Sequence, residues 1–153
     1  MDSEASKSKI VFSDEALTWM KENDYIPEAI DEAGKHGNTA LMKAVREAKS
    51  DIADQLIKAG ANLEVRNVDG NTALWNACFG QDYKCVELLV KAGIKLDSTN
   101  DNGVTALMYS ASAGKVDMVK LLLEFGADKS IKNLDDFTAI DLAASPTIYR
   151  LLK

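Results

Sequence analysis

The chain has 153 residues, 46% apolar and 27% charged, which suits one folded domain or a short repeat array and not a disordered segment. Two prolines and nine glycines exclude a collagen-like or linker-rich chain, and no apolar run exceeds four residues, against about 18 to 20 for a membrane-spanning helix. A net charge of −6, one histidine and two cysteines argue against a nucleic-acid partner, zinc chemistry and a disulfide framework.

Residues 1–12 begin small and polar and are expected to form a disordered tail. No apolar block follows a basic start, so no secretory leader is expected, and unpaired cysteines suit a cytoplasmic location. Residues 13–34 hold seven acids and one base, which is −6, so the remainder of the chain sums to zero. This block reads as a helical pair, with Ser13 and Asp24 as N-caps, Pro27 near the second helix start and Gly34 at its end. Its acidity suits the polar outer face of a terminal cap, and equally a surface that steers a basic partner.

From residue 35 the chain repeats with a period of 33. Thr39, Thr72, Thr105 and Thr138 stand in phase, each followed by Ala and then Leu or Ile. Two residues before each Thr is Gly37, Gly70, Gly103 or Asp136. Gly60, Gly93 and Gly126 form another column, and Asn67, Asn100 and Asn133 another. Each column has a mechanical role. The Asn and Gly stretches, such as Asn67–Gly70, suit tight hairpins. The Thr stands where a helix N-cap belongs. A first helix of about eight residues follows, with Ala44, Ala77, Ser110 and Ala143 as a small column that permits close helix approach. A second helix carries a buried face, as in Val119, Leu122 and Leu123, and ends at a left-handed glycine. A hairpin–helix–helix unit cannot bury its apolar face alone, so the units must stack.

The pattern resembles the ankyrin repeat family over about residues 35–145, most clearly at Asn102-Gly103-Val104-Thr105-Ala106-Leu107, Ala111, Gly114, Val116–Leu123 and Gly126-Ala127-Asp128. The family's T-P-L-H block reads T-A-L-W, T-A-L-M or T-A-I-D here, so its Pro and His are absent. The resemblance implies an all-α solenoid of stacked helix-turn-helix units with β-hairpin fingers. Residues 35–67, 68–100 and 101–133 read as three full repeats. Residues 134–153 read as a truncated capping repeat whose last helix has Ser145 as N-cap and Pro146 at its first position.

No phosphate-cradling loop or nucleophile elbow is present. The stretch from Asp97 has Met108 where a calcium loop needs its bidentate acid. Cys78 and Cys85 fall on core-facing positions, and His36 in a hairpin turn. No cofactor, metal or small-molecule substrate is expected.

The family resemblance implies that partners dock in a concave groove lined by the fingers and the inner helices. On the fingers this singles out Val68, Asn71, Asp101, Val104, Leu134 and Phe137, and on the inner helices Lys43, Arg46, Trp75, Asn76, Phe79, Met108, Tyr109 and Ser112. Aromatic residues in such columns suit interface anchors. Phe79 and Tyr109 are close enough in register to bracket one partner side chain and, with Val104 and Phe137, to form an apolar strip. Two readings stand for Trp75 and Met108: groove anchors, or fillers of the space left by the missing His. Phe137 equally suits closure of the last unit. The expected function is a protein–protein interaction module acting by occupancy, as adaptor, assembly factor or inhibitor. A permanent structural subunit is the alternative, and an enzyme would lack a convergent acid/base set.

Overall fold

The structure, a computed structural model, describes residues 12–153. It contains eight α-helices: α1 (Asp14–Glu22), α2 (Ala40–Arg46), α3 (Ser50–Lys58), α4 (Ala73–Gly80), α5 (Tyr83–Lys91), α6 (Ala106–Ser112), α7 (Val116–Glu124) and α8 (Pro146–Leu152). Short 3-10 turns lie at Pro27–Ala29 and Lys35–Gly37. Inner helices α2, α4 and α6 pack in a row, outer helices α3, α5 and α7 back onto them, and α8 packs on α7. This is the all-α stacked-repeat architecture that the 33-residue period predicts.

The repeat columns explain the local structure. Thr39 and Thr105 cap α2 and α6 by accepting from Met42 N–H and Met108 N–H, at 3.3 and 3.1 Å. Thr72 occupies the same place without that bond. Gly60, Gly93 and Gly126 close the outer helices at φ 91°, 99° and 97°. The following N–H groups then return to the helix, as Ala61 does to Leu56 O at 3.0 Å. One continuous core runs from Phe12 to Leu152.

The Asn column closes each finger. Asn67 Oδ1 accepts from Asp69 N–H and Asn71 N–H, both at 3.0 Å. Asn100 and Asn133 repeat the arrangement in the next two fingers. Fingers are tied to one another by Val68 N–H to His36 O, Asp101 N–H to Asp69 O and Leu134 N–H to Asn102 O, each at 3.1 Å. These are single bonds in register, and no strand occurs among the described residues. The fingers are therefore hydrogen-bonded turns and not the expected β-hairpins, because one backbone bond per neighbour is too few to make a ladder.

A further column was not evident from the sequence. Asp31, Glu64 and Asp97 each accept a backbone N–H of the next repeat, from Asn62, Lys95 and Asp128, at 2.8 to 3.0 Å. Asp31 thus tethers the acidic block to the array. Ala48, Gln81 and Gly114 form a second unforeseen column, closing the inner helices at φ 60°, 56° and 75°.

Both ends differ from expectation. Of the expected tail, residues 1–11 lie outside the described residues, whereas Phe12 is buried. Ser13 caps α1 by accepting from Ala16 N–H at 3.1 Å. Asp24 is not an N-cap: at φ 64° it ends α1, and Tyr25 N–H returns to Met20 O at 2.8 Å. That leaves room only for the 3-10 turn at Pro27–Ala29, so the expected second helix of the cap is a single turn. In the last unit, Thr138 donates its N–H and hydroxyl to Asp141 Oδ2 instead of capping a helix, and residues 139–142 form a turn. Ser145 does cap α8, accepting from Ile148 N–H at 3.3 Å.

Candidate functional site

Helical spacing places Trp75 and Phe79 one turn apart on α4, and their rings stack at 5.7 Å with 16° between planes. Tyr109, from the next inner helix, lies 4.6 Å from the Trp75 ring and 6.3 Å from the Phe79 ring. The three rings form one platform on the inner-helix side of the array. Phe79 is 42% exposed, while Trp75 and Tyr109 are half-buried. Burial raises the Tyr109 phenol pKa, with a further push from Cys78 and an opposing pull from Arg46, so the platform is uncharged at neutral pH.

A cation borders the platform at each end. The Arg46 guanidinium lies 3.9 Å from the Phe79 ring centre, and its Nη1 donates to Asn76 Oδ1 at 3.3 Å. Lys115 Nζ lies 5.9 Å from the Tyr109 ring centre and donates to Gln81 Oε1 at 3.1 Å. Contacts of this kind contribute about 0.5–1 kcal/mol at exposed sites. Lys115 was missed in the sequence; its only signal is its place immediately after Gly114, at the turn between α6 and α7.

Three residues expected on the groove surface are buried. Asn71 Oδ1 accepts from Asn100 Nδ2 at 2.9 Å, a bond between fingers. Asn76 is fully buried, donating from Nδ2 to Thr72 O at 3.1 Å while its Oδ1 receives Arg46. Met108 lies in the core at the position of the family's His, as a filler. Trp75 shares that column but is half-buried, its ring stacked on Phe79 and against Tyr109.

The remaining expected residues are dispersed. Lys43 pairs with Glu47 at 2.8 Å, and Glu47 also accepts from Trp19 Nε1 at 3.0 Å. Ser112 donates its hydroxyl to Tyr109 O. Val68, Asp101, Leu134 and Phe137 are exposed on the fingers, but Val104 is half-buried against the core. Among the described residues no ring contact joins Phe137 to the platform. Nor do Phe79 and Tyr109 bracket a slot. Their planes differ by 28° and Trp75 touches both, leaving a surface on which a side chain can lie.

Burial pushes the Cys78 thiol up to about 12 and the Cys85 thiol upward as well, so neither is a ready nucleophile. Ser110 and Lys115 pull Cys78 the other way, and the Ser110 hydroxyl is buried without a hydrogen-bond partner among the described residues. Among the described residues no group of three or more His, Cys, Asp or Glu side chains converges on a metal position, and no helix is long and apolar enough to cross a membrane.

No curated protein matched the chain. A family model described as ankyrin repeats (3 copies) matches residues 9–100 and 82–153, which together take in nearly the whole sequence. With that match, the stacked inner and outer helices and the tethered fingers, the chain belongs to the ankyrin repeat family.

Proposed function

We infer that this chain, as ankyrin repeats generally are, is a protein–protein interaction module. We propose that this chain binds another protein through its concave face and acts by occupancy, as an adaptor, assembly factor or inhibitor, with Trp75, Phe79 and Tyr109 as its anchor. The observation that carries this reading is the platform itself. Phe79 is 42% exposed although its ring lies against two other aromatic rings, 5.7 Å from Trp75 and 6.3 Å from Tyr109. Exposed aromatic clusters flanked by arginine are the usual composition of interface hot spots. The two unpaired, buried thiols support a reducing, cytoplasmic setting.

Phe79→Ala tests the reading, with Tyr109→Ala as a second step. Partners captured from native lysate and identified by mass spectrometry should lose binding to Phe79→Ala by about 2 kcal/mol or more, while melting changes little. Unchanged capture places the docking surface elsewhere, first of all on the acidic block at residues 13–34.

A further inference from the structure

We propose that the groove takes a segment of a partner protein that lays an apolar side chain on the platform and sets carboxylates against Arg46 and Lys115. This rests on the concave-face reading above and adds the chemistry of the partner.

The net charge of −6 lies in residues 13–34, and the remainder of the chain, which carries Arg46 and Lys115, sums to zero. Among the described residues Lys43 and Lys58 form ion pairs, with Glu47 and Asp54, each at 2.8 Å. Arg46 and Lys115 do not: among the described residues neither forms an ion pair. Each is held by a neutral amide oxygen instead, Arg46 by Asn76 and Lys115 by Gln81. An amide orients a cation and leaves its charge unspent. The Asn76 amide is itself locked, fully buried and bonded through Nδ2 to Thr72 O. The guanidinium lies over Phe79 and uses one of its five N–H donors on Asn76, which leaves outward donors for a two-point contact with a carboxylate.

The acids nearby do not compete for this place. Glu47 is engaged by Lys43 and Trp19. Asp82 is half-buried at the start of α5, against the Cys85 thiol. The exposed acids Asp69, Asp101 and Asp135 sit on the finger row instead. The groove therefore has a polarity, cationic beside the platform and anionic at the fingers. A bound segment should turn its acids toward the helices and any bases toward the fingers.

Selection of a random, unmodified peptide display library on the full chain tests this. The expected consensus places Asp or Glu within a few positions of a large apolar residue. A synthetic consensus peptide should bind about tenfold more weakly to Arg46→Gln/Lys115→Gln and to weaken further with salt. The same peptide should lose binding to Phe79→Ala. A consensus lacking acids, or affinity unchanged in the double variant but lost in Phe79→Ala, overturns the acidic-partner proposal and leaves the groove reading standing. Binding unchanged in both variants, or no groove-dependent binder at all, overturns both.

Discussion

Arg46 and Phe79 meet across two repeats, the guanidinium 3.9 Å from the ring centre, and the buried Asn76 amide holds the arginine there. Core and surface are coupled at this point, because the group that orients the exposed cation is also part of the interior.

Asn76→Ala should therefore act twice. It leaves Thr72 O without its side-chain donor and opens space in the core, which should cost about 1–3 kcal/mol in denaturant unfolding. It also releases Arg46, so consensus-peptide affinity should fall even at temperatures where the variant is fully folded. A stable variant with full affinity would show that the amide positions nothing.

The platform depends on how closely α4 approaches α2. Gly80 lies against the end of α2, where an added β-carbon would collide with the Arg46 carbonyl and come within 2.9 Å of Val45 O. Both obstacles are backbone and cannot swing away. Gly80→Ala should lower stability by about 1–3 kcal/mol and weaken binding at the neighbouring Phe79. A melting temperature equal to the parent's would show that the two helices separate freely.

Ala48 ends α2 at φ 60°, where the equivalent residue after α6 is Gly114 at φ 75°. A β-carbon disfavours that conformation by about 1–2 kcal/mol, partly offset by the greater unfolded-state freedom of glycine. Ala48→Gly should stabilise the protein by about 0.5–1 kcal/mol, or about 2 °C, without affecting binding. A fall in melting temperature would refute this account.

The thiols set the alkaline limit. The Cys78 pKa is raised from 9.0 to about 12 by burial, so the folded state favours the neutral thiol. Its contribution is complete below pH 9 and is lost as pH rises through about 12, since the unfolded chain releases the proton first. Stability should decline across that window, less steeply in Cys78→Ala. At pH 8, alkylation of both cysteines should follow global unfolding; rapid modification of the native protein would contradict their burial.

Much of this was legible in residue order. Thr39 and Thr105, the glycines closing α3, α5 and α7, and Ser145 before Pro146 act locally, within one turn of chain, and their type and spacing announce them. The array follows, since units that cannot bury a face alone must stack. The misreadings arose where a residue had two local options. Asp24 suits the start of a helix and also a left-handed end, and Tyr25 N–H bonding back to Met20 O selects the second. Thr138 suits a cap, but Asp141 lies within reach and takes its protons.

The 33-residue phase of the sequence was sufficient for the family and for the alternation of inner and outer helices, because those depend on periodicity along one chain. Which groove residues reach the surface depended on neighbours a repeat away. Asn76 and Phe79 both lie on α4, yet Asn76 is fully buried between Thr72 O and Arg46, whereas Phe79 is exposed beside Trp75 and Tyr109. Likewise Lys115 faces a ring on α6 and an amide from the preceding repeat. Such partners are fixed by the packing distance between stacked helices, a quantity that no single repeat contains.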